Sequence, residues 1–512
     1  MTKTNIIFLG IVFLSLLLRL YKLTQVPISL HGDELGVGYN AYSLLVSGKD
    51  EYENYFPLTF RADVTPLIFY ATIPSIALFG TSDFAIRFPS VIIGVTTVIM
   101  FYFFVEVLVK TFNITSPANY QKIALLATFF LSIAPWHIQI SRIAHDASYG
   151  ILIQFLALYC FLKYTQQHKR RWFFFSAIFF GFSFYAYHAP RLTSPLLIGV
   201  LLWFFRKEFT FKKTFMFLCT FILITTPFMH EYADKPIAQT RFGGISIFVR
   251  ESPNENRLIS VPIKLAKNYA THLNPLFLFA ESSAVRYFNV KYIGLFLIIT
   301  VPFLLSGIYQ VRKNKRAYWF FLLWGTIAIL PGALTLGPPN AGRAALFFPL
   351  IDIFAALGIF FLSVRLNKTL LAFAISFNLA LFLYSYFVIS PIEFTSQWQY
   401  GVKEIISYAI DNERNYDEIL VSNKIKQAYI YMLFYGNKNP TWTEKTSPKT
   451  RNSFVGYDVI GKYEFRNISL DKDKQKPRSL IIVPANDAVH ETAIYTVFSP
   501  TQQPLYKAIT TN

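Results

Sequence analysis

Apolar residues recur along the chain in blocks of roughly 15 to 22, each about the length a helix needs to cross a bilayer, with short polar stretches between them. The blocks fall near 6–24, 85–109, 123–140, 149–164, 172–187, 192–205, 214–229, 291–310, 317–334, 344–364 and 369–390. This pattern predicts an α-helical polytopic membrane protein with about eleven transmembrane helices. The first block, Ile6 to Leu23, has no small-residue cleavage site and is followed by many like it. It is expected to be a retained span and not a signal peptide.

Two regions depart from that rhythm. Between residues 31 and 53, Val37, Ala41, Leu44 and Leu45 recur at i, i+4, i+7 and i+8. That spacing predicts an amphipathic helix at the outer interface, stopped by Gly48, with Asp33 at or near its N-cap. After residue 390, Trp398, Val402, Ile405, Ile406 and Ala409 follow helical spacing, and "EILVS", "YIYMLFY" and "RSLIIVPA" read as short strands. Residues 1–390 are thus expected to form the membrane domain and 391–512 a small soluble α/β domain outside the membrane. No internal repeat stands out.

Composition agrees: 54% of residues are hydrophobic and 15% charged, with 54 Phe and 31 Tyr. The net charge of +19 raises the question of nucleic acid, but the placement of the basic residues answers it. They cluster at every second loop: Lys163 with Lys169, Arg170 and Arg171; Arg206, Lys207, Lys212 and Lys213; Arg312, Lys313, Lys315 and Arg316; Arg365 and Lys368. Only Glu208 is acidic among them. This alternation is the positive-inside signature, putting these loops and the N-terminus in the cytoplasm and leaving no role for nucleic acid. Arg19 and Lys22 run against the rule; they either snorkel to the headgroups or, for Arg19, face a buried anion. Cys160 and Cys219 lie inside apolar blocks and offer neither a disulfide framework nor metal spacing.

The same topology puts every stretch of unusual polar chemistry on the outer side: "HGDE" at 31–34, "SRIAHDAS" at 141–148, "YHAPR" at 187–191, "HEYADKP" at 230–236 and "GPPNAGR" at 337–343. Five loops converging on one face suit a site at the mouth of a helical bundle. Each residue also has a plainer reading. Asp33 and Glu34 suit the positive end of a helix, and Arg142 suits a headgroup anchor. Arg191 and Arg343 suit loop ends, and His137, His145 and His188 have no metal-ligand spacing. Charge inside the spans is sparse, Glu106 being the main case, which disfavours an ion pump or proton-coupled transporter.

The ordered set "HGDELGVGYNAYSLLVSGKD", "TPLIFYATIPSIALFGTSDFAIRFPS", "SRIAHDAS", "YHAPR" and "GPPNAGRAALFFP" resembles the GT-C membrane glycosyltransferases that use polyprenyl-phosphate sugars. That group includes protein O-mannosyltransferases and lipid A aminoarabinose transferases. The likeness covers roughly residues 1 to 390 and is strongest in the first 150; the outer loop from His230 to Tyr292 has no matching motif. The resemblance implies a GT-C-like catalytic domain and an inverting transfer with the lipid phosphate as leaving group. It also implies an acidic pair serving the acceptor, which maps onto Asp33 and Glu34.

The chemistry agrees with these residue types. Sugar transfer passes through an oxocarbenium-like transition state and needs one carboxylate to take the acceptor hydroxyl's proton, a role assigned to Asp33. Glu34 either orients the acceptor or holds a divalent cation; no other cofactor and no defined metal site is expected. Arg142, Arg191 and Arg343 suit the departing phosphate, because guanidinium forks bind phosphate oxygens in pairs. His31, Tyr39, His145, Asp146 and His188 are candidate substrate contacts. A nucleotide-sugar donor is excluded, since no GxGxxG follows a strand. The expected partners are a polyprenyl-phosphate sugar, an extracytoplasmic acceptor and the lipid bilayer, in a multi-pass protein of the cytoplasmic (plasma) membrane with its site and C-terminal domain outside. The rival readings are an outward-facing transporter or flippase of lipid-linked saccharides and a polymer ligase with a diphosphate-linked donor.

Overall fold

In a computed structural model, residues 2–61, 64–234, 244–249, 255–281, 288, 290–362, 366–438 and 457–511 are described. The chain divides into two compact units: one of Met1–Tyr21, Asp63–Leu67 and Ser90–Ser390, the other of Lys22–Ala62, Ile68–Pro89 and Pro391–Asn512. One of the breaks between the units falls at Ser390–Pro391. Residues 391–512 nevertheless do not stand alone, because the segments Lys22–Ala62 and Ile68–Pro89 belong with them.

The first ten helices run α1 (Lys3–Leu20), α2 (Gly32–Ser47), α3 (Leu67–Phe79), α4 (Asp83–Thr111), α5 (Tyr120–Ile133), α6 (Pro135–Ile140), α7 (Ala147–Gln167), α8 (Arg170–Ala186), α9 (Pro190–Phe204) and α10 (Phe211–Ala233). Further helices at Arg257–His272, Pro275–Phe279, Thr300–Val311, Lys315–Ala333, Phe348–Leu362 and Lys368–Tyr384 lie in the larger unit, whereas α2 and nearly all of α3 belong to the smaller one. Among the described residues, five helices are long and apolar enough to cross a membrane: Lys3–Leu20, Asp83–Thr111, Ala147–Gln167, Phe211–Ala233 and Lys368–Glu393. Four more apolar helices, Leu67–Phe79, Pro190–Phe204, Thr300–Val311 and Phe348–Leu362, are shorter. The basic clusters fall at the turns between α7 and α8, α9 and α10, and the later helix pairs; Arg365 lies outside the described residues.

Three expected blocks differ in form. The block at 123–140 is two helices, because Ala134 is extended (φ −64°, ψ 124°) before Pro135, which opens the second one. The block at 291–310 becomes helical only at Thr300. Residues 369–390 pass through a π-helical turn at Ser385–Ile389. Packing in the larger unit uses bare backbone: a methyl at Gly307 would overlap the Phe354 carbonyl, and one at Gly358 the Phe303 carbonyl, so these two helices touch main chain to main chain. Arg19 does not snorkel. It is fully buried, donating to the Ser15 and Ser132 carbonyls (3.0 and 3.2 Å) and lying 2.6 Å from His137 Nδ1, so carbonyls and an imidazole, not an anion, surround it.

The smaller unit contains a six-stranded sheet of β1 (Glu418–Ser422), β2 (Val459–Ile460), β3 (Tyr463–Arg466), β4 (Ser479–Pro484), β5 (Tyr495–Phe498) and β6 (Pro504–Thr510), in the order β2-β3-β1-β4-β6-β5. β1 runs parallel to both its neighbours, and the remaining pairs are antiparallel. Of the three expected strands, two are strands. "YIYMLFY" is instead part of a helix, Ala428–Tyr435, buried from Ala428 to Phe434. Packed between α2 and the helix Val402–Asp411, it is apolar all round. A continuous apolar run carries no period that separates helix from strand.

Candidate active site

The sequence "HGDELGVGYNAYSLLVS" builds α2, and its end is as expected: Gly48 (φ 69°) takes the left-handed position and donates its N–H to the Leu44 carbonyl (2.9 Å). Its beginning and its surroundings differ. The N-cap is His31, whose Nδ1 accepts from the Asp33 N–H (3.0 Å), which leaves the Asp33 carboxylate unused for capping and 58% exposed. Accepting at Nδ1 requires that nitrogen to be unprotonated. Nor is the helix amphipathic at an interface. It is buried on nearly every side, and the glycines make this possible: methyls at Gly32 and Gly36 would overlap the side chains of Gln427 and Arg61. Tyr39, expected as a substrate contact, is a fully buried core residue.

Beside Asp33 the two carboxylates have separate fates. Glu34 is fully buried, and both its oxygens are taken by Arg87, Oε1 by Nε and Oε2 by Nη2, each at 3.0 Å. Arg87 also donates to the carbonyls of Leu23 (3.1 Å), Pro27 (2.9 Å) and Ser29 (2.6 Å). Glu34 therefore fastens the start of α2 to the segment before it; its expected roles toward acceptor or cation are corrected, since Arg87 holds both oxygens inside the protein. Asp33 points the other way. Its Oδ1 accepts from Gln427 Nε2 (3.1 Å) and lies 3.8 Å from Arg61 Nη1, and its Oδ2 is 3.9 Å from His31 Nδ1. The His31 ring lies 5.6 Å from Trp398.

The larger unit brings the remaining polar loops together. His145 Nδ1 accepts from the Ala147 N–H (3.1 Å) and is 3.4 Å from Asp146 Oδ1, while Asp146 Oδ2 accepts from the Thr65 hydroxyl (3.1 Å). The His145 ring is 6.0 Å from Tyr187, whose ring lies 4.0 Å from His188 and tilted by 47°. The backbone at Gly342 lies close to both Tyr187 and His145, so "SRIAHDAS", "YHAPR" and "GPPNAGR" meet. Arg191, in the first turn of α9, lies 4.7 Å from Phe228 and 4.5 Å from Tyr232, which adds "HEYAD" to the group; Lys235 and Pro236 are outside the described residues. Arg343 is half-buried, and its N–H donates to Asn340 Oδ1 (3.0 Å). Arg142 is not a headgroup anchor. Fully buried, it donates from Nη1 to the carbonyls of Leu18 (3.0 Å) and Arg19 (2.9 Å), closing the last turn of α1. Among the described residues no three His, Cys, Asp or Glu are grouped as a metal ion would need.

Sequence reasoning overlooked Arg87, Arg61, Glu51, Gln427 and Tyr429. Arg87 had a signal, as a charge near the start of the apolar block 85–109. The others sit in ordinary polar loops or, for Tyr429, in the run misread as a strand.

Residues 63–230 match the family described as dolichyl-phosphate-mannose-protein mannosyltransferase. No curated protein matches the sequence. Among solved structures, the fold is similar to ArnT from Cupriavidus metallidurans bound to undecaprenyl phosphate (TM-score 0.54, 12% identity, 99% of this chain and 97% of that one). It is also similar to the oligosaccharyltransferase of Archaeoglobus fulgidus tethered to an acceptor peptide (TM-score 0.50, 12% identity, 98% of this chain and 74% of that one). At these identities the solved structures speak for the fold and the family match for the class of reaction. The solved structures thus show a GT-C fold, and the family match, over about a third of the chain, makes it similar there to membrane glycosyltransferases.

Proposed function

We propose that the protein transfers a sugar, with inversion, from a polyprenyl-monophosphate donor to a hydroxyl of an extracytoplasmic acceptor, and that Asp33 is the base. As the acceptor oxygen bonds to the anomeric carbon, its proton passes to the Asp33 carboxylate. The bond from that carbon to the phosphate oxygen breaks, and its electron pair leaves on the polyprenyl phosphate. Arg191 and Arg343, neither of them buried, are assigned to the phosphate, where fixed positive charge meets the developing negative charge. Arg142 is assigned to holding α1, and His145, Asp146 and His188 to the sugar. The matched family and ArnT's bound undecaprenyl phosphate support a lipid-monophosphate donor.

One observation carries this reading. Of two adjacent carboxylates, one is held inside by Arg87 and the other, Asp33, is left largely exposed although no cap requires it. Asp33→Asn keeps size and fold, costing at most about 1 kcal/mol of helix-dipole interaction, but takes no proton. Purified full-length protein in detergent, supplied with radiolabelled undecaprenyl-monophosphate mannose, glucose or galactose, should release or transfer the sugar with inverted configuration. Asp33→Asn should slow this by about 100-fold or more at unchanged melting temperature. Wild-type turnover in that variant, or a product of retained configuration, would refute the assignment.

A further inference from the structure

The smaller unit contains another buried carboxylate that the chemistry above does not use. Glu51, on the loop after α2, is fully buried. Its Oε1 accepts from Asn40 Nδ2 (3.2 Å) and pairs with Arg61 Nε (3.0 Å), its Oε2 accepts from the Tyr429 hydroxyl (3.4 Å), and its N–H donates to Asn40 Oδ1 (2.9 Å). Burial pushes the Tyr429 phenol up to about 12, so it remains protonated and able to donate. The Arg61 guanidinium, its side chain only 10% exposed, extends beyond this cluster. Nη2 donates to the Tyr429 oxygen (3.0 Å), and Nη1 reaches the Gly32 carbonyl (3.5 Å) and lies 3.8 Å from Asp33 Oδ1.

Two backbone features serve this placement. Gly36 stands in mid-helix, where glycine is unfavourable, and a methyl there would overlap the guanidinium. Arg61 itself takes φ 40°, in the left-handed region that non-glycine residues seldom occupy.

We propose that Arg61, braced by buried Glu51 and seated against the bare backbone of Gly36, is a positioning residue that keeps the Asp33 carboxylate ionised and correctly placed for proton abstraction. This rests on Asp33 being the base. The other groups facing Asp33 are His31 at the cap, the Glu34–Arg87 pair beside it, Gln427, and Tyr431 from the helix Ala428–Tyr435. Arg87 is paired to Glu34, and His31 is held with Nδ1 as acceptor. Among the described residues Arg61 is therefore a cation placed to act on Asp33. A guanidinium lowers a neighbouring carboxylate's pKa, and the exposure of Asp33 moderates the effect.

The test measures kcat and KM against pH for full-length protein in detergent with radiolabelled undecaprenyl-monophosphate mannose, or whichever of the three labelled donors the wild type turns over. In Arg61→Gln the acid limb of kcat should move up by about half to one pH unit, with kcat near neutrality down about 10-fold and the donor KM unchanged. Because Arg61→Gln strands a buried charge on Glu51, the double variant Arg61→Gln/Glu51→Gln supplies a neutral pair that can fold. Gly36→Ala keeps every charge while displacing the guanidinium. Both should reproduce the shift. A wild-type acid limb and kcat in folded Gly36→Ala and in the double variant, with Asp33→Asn inactive, would overturn the role of Arg61 alone; an active Asp33→Asn would overturn the base assignment and this role with it.

Discussion

Arg87 carries five N–H groups, and the structure directs each at an acceptor: two at Glu34 and one each at the carbonyls of Leu23, Pro27 and Ser29. A buried ion pair gains little over well-packed apolar residues, but removing one partner leaves the other charged without water. Arg87→Met is therefore expected to cost about 3–5 kcal/mol, read as a large fall in melting temperature in detergent. Arg87→Met/Glu34→Leu should recover part of the loss and not all, because three carbonyls lose their donor. A single variant as stable as wild type would mean that the pair does not fasten the start of α2. At this scale the sequence was legible where residues are neighbours. The acidic pair after the first span drew attention to Asp33, but nothing local distinguished it from Glu34. That distinction comes from Arg87, 53 positions away. The cap misled for a related reason: Ser, Thr, Asp and Asn dominate N-caps, so a histidine in that position is easily passed over.

Helices were legible where apolar periodicity met a recognisable stop, as at Gly48 and in the long block that became α4. They were misread where punctuation lay inside an apolar block, as at Pro135, or where the apolar run was unbroken, as in "YIYMLFY". Whether a glycine marks flexibility or close contact was also hidden until neighbours were known. Gly307 and Gly358 sit on facing helices, each against the other's backbone, and backbone cannot swing aside as a side chain can. Gly358→Ala should therefore destabilise by roughly 1–3 kcal/mol through overpacking. Gly10→Ala is the matched control, since nothing lies within 4 Å of its added methyl. Thermal melts in one detergent should separate the two variants, and equal melting temperatures would show that the close approach of the two helices is absent in solution.

The whole molecule was legible as a class, a many-helix membrane protein with a small mixed domain at its end, because apolar blocks and basic loops are long-range patterns written repeatedly. Its division was harder to read, since a unit assembled from separated segments leaves no compositional seam. Residues 391–512 look self-sufficient in sequence: they hold all six strands of the sheet and the helix Val402–Asp411 that packs on it. Yet the helix Ala428–Tyr435 is apolar all round because α2 covers one side of it. Tyr431 donates to the Leu30 carbonyl (2.8 Å), Tyr435 to Asp83 (2.9 Å), and Lys403 pairs with Asp83 (3.0 Å). Cut away from residues 22–89, the segment would expose that helix face and leave these donors without their partners, an apolar patch of the kind that drives aggregation. Expressed alone, 391–512 should be insoluble, or soluble only as a species that binds hydrophobic dye and lacks a cooperative melt. Within the full-length protein residues 391–438 and 457–511 should resist limited proteolysis. A monomeric, cooperatively melting fragment would show that the domain folds by itself and that α2 docks on a finished surface, whereas the structure makes α2, and Asp33 with it, part of that domain's core.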